Sequence, residues 1–164
     1  MNTLFIGQKI ICLERTDSTN SYLTRLLSKE KLAAGPGVVT QNQEQGRGQR
    51  GAIWESDAGK NLTLSILLHP TFLKPDEQFI LNKVVSLGVL EFVCLCLTPN
   101  SSHRGEGNKR DEAAVKWPND IYIGNKKVAG ILIENSVSGN KLQQSIIGIG
   151  INVNQEIFSA ELPN

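Results

Sequence analysis

The chain is poor in cysteine, histidine and aromatic side chains, and carries almost no net charge. Its 3 cysteines, Cys12, Cys94 and Cys96, form no CxxC pair, and its 2 histidines, His69 and His103, stand at no ligand spacing. Both facts argue against a protein-built metal site. Cys94 and Cys96 sit in an apolar run and read as buried thiols. With 17 basic against 16 acidic residues the formal charge is +1, which removes the case for broad electrostatic binding to nucleic acid or an anionic membrane. Long uninterrupted apolar stretches are also missing. The segment from Gln78 to Leu97 comes nearest, but Asn82, Lys83, Gly88 and Glu91 break it, so it reads as a buried core helix rather than a bilayer span. The opening MNTLFIGQKI lacks a charged region followed by an apolar stretch, so no secretion signal is expected and a reducing cytoplasm is the expected compartment.

What is present suffices for one globular domain over residues 1–164, large enough to bury roughly 70% of its unfolded surface. Ile10 to Leu13 reads as a short strand. Asp17, Ser18 or Thr19 then caps a helix whose stripe is Tyr22, Leu23, Leu26 and Leu27. Gly35-Pro36-Gly37 stops it, and Val38-Val39-Thr40 starts a second strand. Residues 44–60, nearly devoid of apolar side chains, read as a mobile loop. Asn61 to Leu68 alternates, with Leu62, Leu64, Ile66 and Leu68 on one face and Thr63 and Ser65 on the other. A long helix is expected from Asp76 to Leu97, and Pro99 to Asp111 has the composition of an exposed insertion. The last third reads as antiparallel strands over Ala113–Trp117, Ile121–Ile123, Lys127–Asn135 and Gln144–Asn152, turning at Gly124-Asn125 and Ser138-Gly139-Asn140. The whole is an α+β pattern, a mixed or antiparallel sheet packed by helices.

Four segments carry candidate chemistry. Gln43 to Gly51 holds three glycines and two arginines, followed by Trp54; such a loop lets backbone N–H groups approach an anion while Arg47 and Arg50 offer forked donors. No Gly-Lys-Ser/Thr follows, so it is not a P-loop, and a disordered basic loop, or a surface that touches nucleic acid, is the bland alternative. Lys116-Trp117-Pro118-Asn119-Asp120 ends a strand in a turn; a hairpin explains Pro-Asn-Asp but not the preceding lysine and tryptophan. Gly130, within Lys127 to Glu134, implies that another backbone or a ligand comes close. Gly148 and Gly150, before Asn152, make room for something on their strand or pack against the long helix.

In order, Thr16-Asp17-Ser18-Thr19-Asn20, the Gly46–Gly51 loop, Lys116–Asp120, Lys127–Glu134 and Gly148–Val153 closely resemble the biotin protein ligase family, from about Thr16 to Asn154. The resemblance implies the catalytic-domain fold of biotin and lipoate ligases. It also implies a two-step reaction, in which biotin is activated by ATP to biotinyl-5′-AMP and transferred to a lysine of a biotin carboxyl carrier protein. The acceptor would be a domain of acetyl-CoA carboxylase or of another biotin-dependent carboxylase. Ser18, Thr19 and Asn20 would bind the biotin ring system with Gln43 nearby, and Gly48, Gln49 and Gly130 would border biotin. Arg47 and Lys127 would act on the reacting oxygens. Arg50, Trp54, Lys116, Asn119, Asp120 and Asn152 would form the ATP and adenylate side, with Trp54 near the adenine. Mg2+ would accompany the ATP, held largely by phosphates and water.

Two departures qualify that picture. Many relatives carry arginine where this chain has Gln49, so weaker retention of the adenylate is expected, with Arg50 as the candidate substitute. The resemblance also implies further helices and a small SH3-like barrel beyond the 12 residues that follow Asn152, and a DNA-binding segment in some relatives before the position of Thr16. An incomplete catalytic domain without a repressor role is therefore expected, with apolar surface that favours a homodimer. The competing readings are a catalytically impaired biotin-binding fragment and a lipoate ligase or octanoyltransferase.

Overall fold

The computed structural model describes residues 6–97 and 113–158; the expected insertion Pro99 to Asp111 lies outside them. Among these residues seven strands form one sheet: β1 (Ile10–Thr16), β2 (Gly37–Gln43), β3 (Asn61–Leu68), β4 (Ala113–Lys116), β5 (Asp120–Ile123), β6 (Lys126–Ser138) and β7 (Lys141–Asn152). Their spatial order is β1-β2-β3-β7-β6-β5-β4. Only β1 and β2 pair in parallel. A parallel pair needs a crossover, and helix α1 (Thr19–Leu27) supplies it. The expected mixed sheet is thus observed, with strand ends reaching beyond the apolar residues that announced them, to Thr16 in β1 and Ser138 in β6. Gly124 and Gly139 take the positive φ that their tight turns require.

The alternation along β7 divides the sheet into two faces. Ile147 and Ile151 join Ala129, Ile131, Leu81, Val89 and Val93 in the larger core, under helix α2 (Gln78–Leu97). Ile146 turns the other way, into a smaller core with Leu23 of α1, Val38 and Leu67. Gly148 and Gly150 share the face of Ile146 by the strand's period of two. Register carries that face across the sheet in a row, Thr40–Thr63–Gly150–Gly130–Asp120, beside a second row, Val38–Ser65–Gly148–Leu132. The polar face of β3 read from the sequence is therefore turned toward α1 and not toward solvent, with Thr63 and Ser65 both buried.

Helix α2 is not the buried helix its composition announced. Leu81, Val89 and Val93 are buried on the sheet, whereas Phe79, Ile80, Val84, Leu87, Phe92 and Leu95 are exposed. An apolar helix has no sequence-coded face, so packing alone decides which side is covered. The segment Pro75–Cys96, with mean hydropathy 1.9, is long and apolar enough to cross a bilayer by length and composition. Its outer face also bears Lys83 and Glu91, and Ser86 Oγ donates to the Pro118 carbonyl at 3.3 Å, tying the helix to the Lys116–Asp120 turn. Of the two cysteines read as buried, Cys94 is, and Cys96 is exposed because it falls on the uncovered side.

Candidate functional site

Above the small-residue rows of the sheet lies a cavity of about 990 Å³. Ser18, Thr19, Asn20, Gln43, Arg47, Gly48, Gln49, Trp54, Lys116, Asn119, Asp120, Lys127, Gly130 and Asn152 all line it. Of the residues to which the resemblance gives a ligand-binding role, Arg50 does not; it is exposed, with φ of +54°. Arg50 consequently does not take the place that Gln49 holds in the cavity wall.

The loop between β2 and β3 is folded rather than loose. The Trp54 N–H donates to the Gly46 carbonyl at 3.0 Å and the Gly48 N–H to the Ala52 carbonyl at 2.7 Å, and Arg47 and Ile53 form an antiparallel bridge. Backbone bonds of this kind need no apolar side chains, which is why composition suggested mobility. The loop lands on the sheet through Trp54. A Cβ on Gly130 would stand 2.7 Å from Trp54 Cζ3, and one on Gly150, the register partner of Gly130, would overlap the same indole. The room that these glycines provide is filled by this side chain. Trp54 Nε1 is buried without a partner among the described residues.

At the head of α1 a polar relay runs through the wall. Ser18 is the N-cap residue in extended conformation, but its side chain makes no capping bond. Gln43 Oε1 accepts from the Thr19 N–H at 2.9 Å and from its hydroxyl at 3.2 Å. The Ser65 hydroxyl stands 2.7 Å from Thr19 Oγ1 and 2.6 Å from Asn20 Oδ1; with one proton, it donates to one of them at a time. A Cβ on Gly148 would come within 2.5 Å of Asn20 Oδ1, so glycine admits the amide. Asn20 Nδ2 donates to Glu134 Oε2 at 2.7 Å and reaches the Leu132 carbonyl at 3.4 Å. Asn20 is thus a wall residue whose amide is engaged by the protein. Ser65 and Glu134, which bond Asn20 without lining the cavity themselves, were not legible as supports of the site, since each merely continued a strand's alternation.

Beside this relay, the Asp17 carboxylate accepts from Arg25 Nη1 at 2.7 Å and Nη2 at 2.8 Å, clamping the start of α1. The Arg25 hydrogen bonds hold the Asp17 carboxyl well below its ordinary value of 3.8.

Four cations line the cavity, Arg47, Lys116, Lys126 and Lys127, facing the carboxylates Glu55, Asp120 and Glu156. Lys127 Nζ lies 2.8 Å from Asp120 Oδ1 and 5.8 Å from the Trp54 ring centre, so its charge is compensated locally. Lys116 Nζ sits 5.0 Å over the Tyr122 ring, without a carboxylate partner among the described residues. Asn119 braces the floor, its Nδ2 donating to the Ile131 carbonyl at 3.2 Å and its own carbonyl accepting from the Ile131 N–H at 2.8 Å. Trp117 instead meets Phe79 of α2, ring centres 4.5 Å apart. Asn152 Nδ2 donates to the Lys127 carbonyl at 3.2 Å, while its Oδ1 is buried without a partner. No group of three His, Cys, Asp or Glu suited to a metal occurs among the described residues. Polar atoms and cations on a small-residue floor suit an elongated ligand with a hydrogen-bonding head and an anionic tail.

Comparison with known proteins gives this arrangement a family. The chain is 32% identical over 156 residues to the bifunctional ligase/repressor BirA of Bacillus spizizenii, covering 95% of this chain and 44% of that protein. It is 34% identical over 143 residues to the biotin–[acetyl-CoA-carboxylase] ligase of Paracoccus denitrificans, covering 86% of this chain and 53% of that one. The chain therefore spans about half the length of these curated relatives. The crystal structure of biotin protein ligase from Leishmania major in complex with biotinyl-5-AMP superposes with a TM-score of 0.75 at 27% identity, over 94% of this chain and 61% of that one. The model of the biotin/lipoate A/B protein ligase family matches residues 12–152, most of the sequence, and the chain belongs to that family.

Proposed function

We propose that this chain activates biotin with ATP to biotinyl-5′-AMP and passes the biotinyl group to a lysine of a biotin carboxyl carrier domain, that of acetyl-CoA carboxylase or another biotin-dependent carboxylase. The observation that carries the reading is the convergence of Arg47, Lys116, Lys127 and Trp54 on one cavity that is also lined by Thr19 and Asn20, which Ser65 bridges. Likeness to named biotin ligases, one of them bound to the adenylate, supports the same choice.

In the first step a biotin carboxylate oxygen attacks the α-phosphorus of ATP and pyrophosphate leaves. Two anions must be held together for this, and fixed cations relieve their repulsion and stabilise charge moving to the leaving group. Arg47 supplies a guanidinium over the cavity, while Lys127 is shared with Asp120 and Lys116 has no carboxylate partner among the described residues. Trp54 Nε1 and Asn152 Oδ1, an orphan donor and an orphan acceptor, suit the edge of a nucleobase. In the second step the carrier lysine's amine attacks the acyl carbon and AMP leaves. Magnesium would arrive on the nucleotide, held by its phosphates and water.

The test is biotin- and ATP-dependent pyrophosphate release by the 164-residue chain, with Lys127→Ala and Lys116→Ala measured separately. Release that biotin supports and lipoate in its place does not, and that falls about 10²-fold or more on loss of the acting lysine, supports the proposal. Biotin binding by calorimetry without release would leave a binding fragment in its place.

A further inference from the structure

The geometry points to Glu134 as a positioning residue that holds the Arg47 loop closed on the sheet and couples it to the Asn20 wall. One oxygen, Glu134 Oε2, accepts from Asn20 Nδ2 at 2.7 Å and from Arg47 Nη2 at 2.9 Å. The two donors come from different elements that line the cavity, α1 and the β2–β3 loop. Trp54 seats residues 46–54 on Gly130 and Gly150, and Glu134 adds a polar pin on the opposing arm of the lobe, where Arg47 bridges Ile53.

This pair differs from an ordinary surface ion pair. The Arg47 and Glu134 side chains are 46% and 36% exposed, a setting in which ordering two long side chains consumes most of the attraction. Here the carboxylate is held from below by an amide that is itself fixed. Asn20 is 2% exposed, bonded to Ser65, and seated in the space left by Gly148. Part of the ordering cost is therefore met before Arg47 arrives. The guanidinium has five N–H donors and gives one to Glu134, so its remaining donors stay available to a carboxylate or phosphate. Glu134 orients the arginine without using it up.

The kinetic consequence rests on the ligase reading, but the structural one does not. Tryptic cleavage of the ligand-free chain after Arg50, followed by mass spectrometry, reports opening of the loop whether or not the chain is active. Glu134→Ala should be cut about threefold faster there than wild type. Glu134→Gln, whose amide oxygen accepts the same bonds, should stay closer to wild type than Glu134→Ala does. Cleavage after Lys60, outside the lobe, and the melting temperature should be unchanged. In pyrophosphate release, Glu134→Ala should raise the KM for biotin by a similar factor with kcat nearly intact, because bound substrate recloses the loop. Equal cleavage of Glu134→Ala and wild type at Arg50 would overturn the tether. Acceleration at every site, or a fall in kcat at constant KM, would overturn it too, by making Glu134 a general structural residue or a participant in the chemistry. A chain that releases no pyrophosphate but shows the Arg50 effect would refute the ligase reading and leave the tether standing.

Discussion

The Trp54 indole rests against Gly150 so closely that a Cβ there would overlap it, with Nε1 only 2.6 Å from the position such an atom would take. Gly150 pairs in register with Gly130, so two strands together form the flat seat of one ring. Gly150→Ala should therefore displace the indole. The expected result is a loss of about 1–3 kcal/mol from overpacking, a red shift in the emission of Trp54 and a rise in the KM for ATP. Trp54→Phe in the same background separates this signal from that of Trp117, which is 45% exposed. An unshifted spectrum with unchanged stability would show that the ring is not seated there.

The glycines and the polar side of β3 were legible as a strand face that makes room for something, because period-two alternation survives in any sequence context. What fills the room was not. Trp54 and Asn20 arrive from distant parts of the chain, and only the register Gly130–Gly150 and Ser65–Gly148 brings their seats together. Arg47, Lys116 and Lys127 were legible as charges, but not that Asp120 compensates one lysine and leaves the other without a carboxylate among the described residues. The order of residues 46–54 escaped composition because it resides in backbone bonds. The uncovered side of α2 escaped it because that helix is apolar all round.

Gln49 lines the cavity whereas Arg50 does not, so the neighbouring arginine does not restore a charge at position 49. On the ligase reading, Gln49→Arg should slow release of the adenylate into solution. A gain of roughly 1.5–3 kcal/mol for a hydrogen bond to a charged group corresponds to about tenfold or more in residence time. Rapid filtration of radiolabelled adenylate from the wild-type and variant chains measures it; equal release rates would remove Gln49 from the account of retention.

Leu81 and Leu87 lie on one helix but differ in exposure, 7% against 61%. Leu81→Ala should cost about 2–5 kcal/mol by opening a cavity between α2 and the sheet. Leu87→Lys should change stability by no more than about 0.5 kcal/mol, since lysine is a good helix former and this side chain leaves no core. Urea denaturation of both variants checks the pair. A large loss from Leu87→Lys would mean that the outer face of α2 is covered in solution.

Asp17 and Arg25 make a two-pronged contact at the start of α1, with side chains 35% and 54% exposed. Solvent screening limits its worth, so Asp17→Asn should cost about 1 kcal/mol or less at pH 7. The sign of its pH dependence follows from the carboxyl being held below its ordinary value of 3.8 in the folded chain. The folded state then binds fewer protons than the unfolded one between the two values, so the pair's contribution is complete above the ordinary value. It declines as pH falls toward the depressed one. The difference in melting temperature between wild type and Asp17→Asn should consequently be larger at pH 7 than at pH 3, and smaller at high salt. A difference that grew on acidification would mean that the stabilising partner of Asp17 binds its protonated form, which the Arg25 geometry forbids.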